Sequence, residues 1–554
     1  AFVFLEQLPT TPNGKVDRRA LPPPEYQQFA QEYVAPRNHI EETLTYVWKK
    51  ILRIERVGIH DNFYALGGDS LLSMQIIAHA KSKGLHFTPK QILQHQSIAE
   101  LATVVIQVTE DAIAEEQDAA HDSIPLTPRQ SWLFELNCEK PHYFNSPIAI
   151  DVPPDFDSAL MGRALRHLWE HHDGIRIRFR KTDGGWSQFL ADVDEHQEVQ
   201  LLDLSQVPRS ELSRVMEEKG TELQGSLDLF HGPLLKIIHI NLGAKVPGRL
   251  LLIAHHLLVD RFTNDIIIED LKALYAQGSR GEVFHLPHKT ASFAKWAYHV
   301  SGIARSGKLH AELEHWVSLG NTEFRPFPVD HETGGDVEGS ARRFELRLSP
   351  EETQRLQKAL HAYDVDFMEA IATAILHVFT DWTGGPSLWL ELSHHGRSLV
   401  ADELDLTRTV GWLTANFPVV LKRENTRTMK DALASVRRQL AAIPNGGEGY
   451  GLLRYASGDP VVKKKLEALP QPQMFLNYVG QMRGRKDSRE RPEESFGPHR
   501  YPTHTRAWQI YCKAFGGDEL VLLWEYSENR HRSETILRLA EDCLAVLREL
   551  SCAS

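Results

Sequence analysis

The chain has 554 residues, more than one hydrophobic core can serve, and at ~150 residues per domain it should fold as about three or four units. Apolar residues make up 42% and charged residues 25%, ordinary globular proportions, and 36 Gly with 29 Pro exclude a collagen-like or wholly disordered chain. A net charge of −12 argues against a dedicated nucleic-acid binder, whose footprint would be basic.

The cysteines Cys138, Cys512, Cys543 and Cys552 show no CxxC spacing, so neither a disulfide framework nor a zinc ribbon is expected and a reducing cytoplasm fits. No apolar run approaches the ~18–20 residues of a membrane helix. The chain begins Ala1-Phe2-Val3, without Met or a signal-type leader, and reads as a piece of something longer. No period of the kind that marks solenoids or propellers is present.

Residues 1–35 are rich in Pro and turn formers (Thr11-Pro12-Asn13-Gly14, then Pro22, Pro23 and Pro24) and read as an extended linker. Residues 36–107 carry helical periodicity over Glu41–Leu52, after Ser70, and over Ile98–Val105, which predicts a small bundle of three or four helices. Residues 108–123 are acidic and nearly free of large apolar groups, as a solvated linker would be. Beyond them strands and helices mix. Leu250–Ala254 and Leu388–Leu392 read as buried strands, Ile266–Ala276 and Glu534–Leu550 as amphipathic helices. About 430 residues suit two α/β lobes, divided here as 124–290 and 291–554.

In Asp61-Asn-Phe-Tyr-Ala-Leu-Gly-Gly-Asp-Ser70, Gly67 and Gly68 allow a tight turn, and Asp69 and Ser70 stand where a helix begins and can cap its N–H groups. The string resembles the modification site of peptidyl carrier proteins in nonribosomal peptide synthetases. The resemblance implies a four-helix carrier with 4′-phosphopantetheine on Ser70, surrounded by Gly67, Gly68 and Asp69. The preceding Leu8-Pro-Thr-Thr-Pro-Asn-Gly-Lys-Val-Asp17 resembles the tail of an adenylation domain. Lys15 matches its activating lysine, but the rest of such a domain is absent, so residues 1–35 are a remnant that activates nothing here.

Ala254-His255-His256-Leu-Leu-Val-Asp260 follows a strand, where adjacent histidines face opposite ways. A metal would need a third ligand at a spacing the sequence does not show, so no metal is expected. The string resembles the HHxxxD signature of the condensation superfamily, which implies a two-lobed, chloramphenicol-acetyltransferase-like α/β fold. In that family the position of His256 faces the channel where pantetheine arms meet. His255 is the flanking motif residue, and Asp260 holds its loop through an arginine. Leu126–Phe134, Thr407–Thr414, Pro444–Gly451 and Phe475–Gly480, the last containing Tyr478, resemble epimerization-domain motifs in the epimerization order.

Epimerisation removes an α-proton and returns it on the other face, which needs acid/base groups about Cα and donors for the enolate oxygen. Epimerization domains supply a channel histidine and the glutamate of a Glu-Gly-His-Gly-Arg string. Aligned on Gly396-Arg397, this chain has Ser393, His394 and His395 in place of Glu, Gly and His. A serine hydroxyl without a perturbing partner is no base near neutral pH. Glu391, two residues back on the strand, is ~6.6 Å along it, beyond the ~2.6–3.2 Å reach of a base. Arg261 stands where the family has Gly, bringing a long cation to the channel mouth or reshaping the loop.

These departures fall on the reacting centre and leave distant motifs intact. The leading expectation is therefore a domain that holds the carrier's aminoacyl or peptidyl thioester and recruits a separate tailoring enzyme such as a hydroxylase. X domains of glycopeptide assembly lines and interface domains beside siderophore hydroxylases resemble it. The alternative is an active epimerase using His256, with water or His395 standing in for the glutamate. A condensation catalyst is a weaker third reading. Expected partners are the neighbouring adenylation and downstream condensation domains and the trans-acting enzyme, with no nucleic acid and no membrane.

Overall fold

A computed structural model describes residues 33–81, 83–107, 123–183, 185–192, 198–363, 365–400, 403–481 and 494–552. Most of the adenylation-like remnant, Lys15 included, and nearly all of the 108–123 linker lie outside them.

The N-terminal unit is the predicted bundle, with helices His39–Leu52, Ser70–Lys81, Pro89–Gln94 and Ile98–Leu101 among the described residues. Asn38, Thr88 and Ser97 cap three of these by accepting from backbone N–H groups in the first turn. Leu44, Val47, Trp48, Phe63, Ile76 and Leu101 fill the centre and are buried. The short helix Pro89–Gln94 is invisible to periodicity because it is a single capped turn and a half. Its Thr88/Gln91 capping box is the legible signal.

The larger unit is two α/β lobes. In the first, among the described residues, the sheet runs Asn145–Val152, Gly248–His255, Leu235–Asn241, Gln200–Asp203. Its central strand Gly248–His255 is buried along its whole length, which explains its unbroken apolar run. In the second lobe the order is Ala415–Lys422, Ser387–His394, Met474–Gln481, Ile510–Gly516, Leu520–Ser527, Ala341–Leu348. Parallel pairings flank Met474–Gln481 and the other neighbours are antiparallel. The helices predicted near residues 266 and 534 run Arg261–Ser279 and Ser533–Cys552.

The second lobe reaches back over the first. The Asn145 amide donates to His499 O, Phe144 bridges to Arg500, and Arg249 holds Glu494 through two nitrogens. The helix Phe293–Arg305, just past the predicted lobe boundary, has its first amides on Asp173 of the first lobe. No helix among the described residues is long and apolar enough to cross a membrane.

Candidate functional site

Ser70 is the first residue of its helix, and Asp69 directly before it accepts from the Leu72 amide. Gly67 turns the chain at φ +91. A Cβ on Gly68 would stand 2.4 Å from the Phe63 ring, so the turn packs closely on the core directly before the helix that Ser70 opens. That cradle fits a serine carrying a long prosthetic arm.

The carrier is docked on the larger unit. Asp69 lies against Gly480, where an added Cβ would come within 2.6 Å of Asp69 Oδ2. Along the same helix His79 Nε2 is 3.4 Å from Glu269 Oε1, and Lys81 pairs with Asp405. Arg408 continues the network, bonding Glu269 and Asp270, and Asp270 binds His172 Nε2 at 2.8 Å. These ion pairs hold Glu269 down to about 2 against the opposing effect of its burial.

The strand ends at His255, and His256 opens the turn that follows, so the two rings differ in surroundings without both lying on the strand the sequence suggests. His255 is fully buried, donates from Nε2 to Pro141 O at 2.8 Å and accepts the Leu257 amide on Nδ1, which fixes a neutral tautomer. Burial pushes its imidazolium down to about 4. His256 lies under Trp412, ring centroids 4.3 Å apart, with Phe144 on another side at 5.9 Å. Its Nδ1 is buried without a partner, and burial, reinforced by Arg500 and Arg129, pushes it down to about 3.

Trp412 owes its place to Asp260. That side chain caps the helix Arg261–Ser279 through the Thr263 amide, and its other oxygen accepts the Leu413 amide. Thr263 Oγ1 adds a bond to Gly411 O at 2.6 Å. Arg397, buried beside Phe262, stands 3.7 Å from Asp260 and donates to Thr409 O. Arg261, whose side chain is 22% exposed, runs along its own helix, with Nε 3.2 Å from Asp265 Oδ2.

The Ser393–Arg397 string is held partly by groups outside its own motif. Ser393 Oγ donates to Asn477 Oδ1 at 3.2 Å, and Asn477 donates in turn to the Tyr511 hydroxyl. Glu448 accepts from His394 Nδ1 at 2.6 Å and from the amides of Ser398 and Leu399. His395 accepts the Arg397 amide on Nδ1, and burial holds its imidazolium well below the usual range. Gly396 turns the string at φ +70, with the Leu413 carbonyl where a side chain would be. Tyr478 packs beside Phe367, ring centroids 6.4 Å apart. The ligand atoms of His394, His395 and Glu448 lie within 4.8 Å of one another, a grouping that residue spacing around His255 does not reveal.

A narrow cleft opens beside Trp412, lined by Arg129, Trp132, Glu391, Asn416, Tyr450 and Arg454 among others. Glu391 does face it, but both its oxygens are engaged, one by Asn416 at 2.6 Å and one by Trp508 Nε1 at 2.9 Å. Sequence spacing could not reveal that engagement, because Trp508 arrives from a distant segment.

Two family profiles match the chain: "Phosphopantetheine attachment site" over residues 42–105 and "Condensation domain" over residues 120–552. A linear gramicidin synthase from Brevibacillus parabrevis is 40% identical over 88% of this chain, which spans 10% of that protein. Chondramide synthase cmdD of Chondromyces crocatus is 38% identical over 99% of this chain and 14% of its own length. The chain thus spans only a small fraction of these curated relatives. The solved epimerization domain from the third module of a tyrocidine synthetase superimposes with a TM-score of 0.73 at 28% identity, covering 79% of this chain and 99% of that one.

Proposed function

Since the chain belongs to the condensation-domain family and carries a phosphopantetheine carrier ahead of that domain, we propose that it is a synthetase segment that presents a carrier-bound thioester to a second enzyme without epimerising it. Ser70 is the serine that bears the 4′-phosphopantetheine arm, with Asp69 capping its helix. The arm supplies a thiol that holds an aminoacyl or peptidyl group as a thioester. The larger domain receives that group, and a tailoring enzyme acting in trans, of hydroxylase type, modifies it. The setting is the cytoplasm.

One observation carries the reading. At the position of the epimerase glutamate, Ser393 donates to Asn477, and both nearby carboxylates are already engaged, Glu391 by Asn416 and Trp508 and Glu448 by His394 and two amides. A base must come within ~2.6–3.2 Å of its proton in the required ionisation state. His256 is a weak base at about 3.

A second reading has its own support. His256 keeps an unpartnered Nδ1, and the likeness to a solved epimerization domain favours proton transfer at Cα. Loading an L-aminoacyl pantetheine onto Ser70 and analysing the configuration of the released amino acid separates the two. The platform reading expects L product at all times. Substantial D product that disappears in His256→Ala would overturn it. A pulldown with candidate tailoring enzymes, with and without the loaded carrier, tests recruitment; no binding in either state counts against the platform.

A further inference from the structure

The cleft beside Trp412 presents donors and withholds acceptors. Arg129 is 8% exposed, yet among the described residues none of its nitrogens finds a hydrogen-bond acceptor: Nε is sealed without a partner, and Nη1 stops 3.9 Å from Glu391 Oε1. Its guanidinium is clamped between indoles, 3.9 Å from the Trp132 ring centroid and 4.6 Å from that of Trp412. Trp132 in turn stacks on Trp508 at 5.8 Å, so the ring against the cation is itself held in place. Arg454 adds a second cation to the lining, but it is already held, its Nη2 donating to Glu135 Oε2 at 2.8 Å, while its Nη1 is buried and not hydrogen-bonded. The carboxylates that share this wall, Glu391 and Glu448, are spoken for by Asn416, Trp508, His394 and backbone amides.

A buried guanidinium without hydrogen bonds is costly, and its planar fork matches a carboxylate with two parallel bonds. The cleft is one ring away from His256, because Trp412 touches both that imidazole and Arg129. We propose that Arg129 is a specificity residue that binds a side-chain carboxylate on the carrier-bound acyl group, so that the domain accepts acidic aminoacyl or peptidyl thioesters over neutral ones. This deepens the presentation reading and rests on it for the route of delivery.

The test titrates the full chain with free pantetheine derivatives in which an amide replaces the thioester, one bearing L-glutamate and one L-glutamine. Calorimetry should show the glutamyl compound binding about tenfold or more tightly, as a charge-assisted bidentate pair predicts. Arg129→Gln should erase that preference and Arg129→Lys should keep only part of it. Equal affinities in the unaltered protein overturn the proposal whether or not the variants fold, and so does a preference that survives in a folded Arg129→Gln. Product configuration does not enter this readout. An acidic preference accompanied by D product overturns presentation and keeps the subsite, whereas L product without a preference does the reverse.

Discussion

Arg397 Nη2 stands 3.7 Å from Asp260 Oδ1, with both side chains at most 4% exposed. One residue belongs to the first lobe's histidine loop and the other to the second lobe's Ser393–Arg397 string. The ion pair therefore joins the lobes beneath the site, and Asp260 also holds Trp412 over His256 through the Leu413 amide. Removing one partner leaves a buried charge uncompensated, so Arg397→Ala should cost about 3 kcal/mol or more in urea unfolding. Asp260→Ala should also shift the tryptophan emission, because Trp412 loses its tether. Unchanged emission with a native denaturation midpoint would refute this account.

His255 gives the protein an acid sensitivity of known sign. In the folded chain it titrates at about 4, below the ~6.5 of an exposed histidine. Its contribution is intact above ~6.5 and is lost as pH falls through about 4, because the unfolded chain takes up the proton first. The loss is at most about 3 kcal/mol. Melting temperatures measured from pH 7 to pH 4 should fall, and His255→Gln should flatten the decline.

Carrier docking should respond to bulk at one point and to salt at others. Gly480→Val should lift the carrier from the larger unit, because the new side chain meets Asp69 on a backbone already at φ +87. Small-angle scattering would register this as a larger radius of gyration. Salt at ~1 M, where the screening length is ~3 Å, should weaken the His79–Glu269 and Lys81–Asp405 contacts and produce a partial version of the same change.

Ser393→Glu combined with Arg261→Gly tests whether the chemistry was lost at these two positions. The unaltered chain should show no solvent exchange of the α-proton of a loaded amino acid, and the double variant should gain it. Absence of exchange in both, with the variant folded, contradicts the explanation given for Ser393.

Much of this architecture is legible in the sequence because it rests on local rules. Strand Gly248–His255 announces itself by an apolar run, and the longer carrier helices by periodicity. The site is legible only where chemistry sits inside a motif. Arg129 lies within one of the quoted motifs yet gains meaning only when Trp412, from a distant stretch of chain, closes over it. Glu448 likewise lies within a recognised string, but nothing in spacing shows that it grips the amides of Ser398 and Leu399. For Arg261 the sequence suggests a channel mouth or a reshaped loop, and helix geometry instead sets it beside Asp265 one turn on.

The return of residues 494–501 across the first lobe bears on how such segments can be recombined. An engineer splicing this domain into another assembly line would find no joint between the lobes. A cut near residue 290 would strip the Asn145–Val152 edge of its His499 and Arg500 cover and leave Arg249 without Glu494. The smallest transferable cassette therefore runs from the start of the first lobe to the last helix, and graft points belong in the acidic stretch ahead of it.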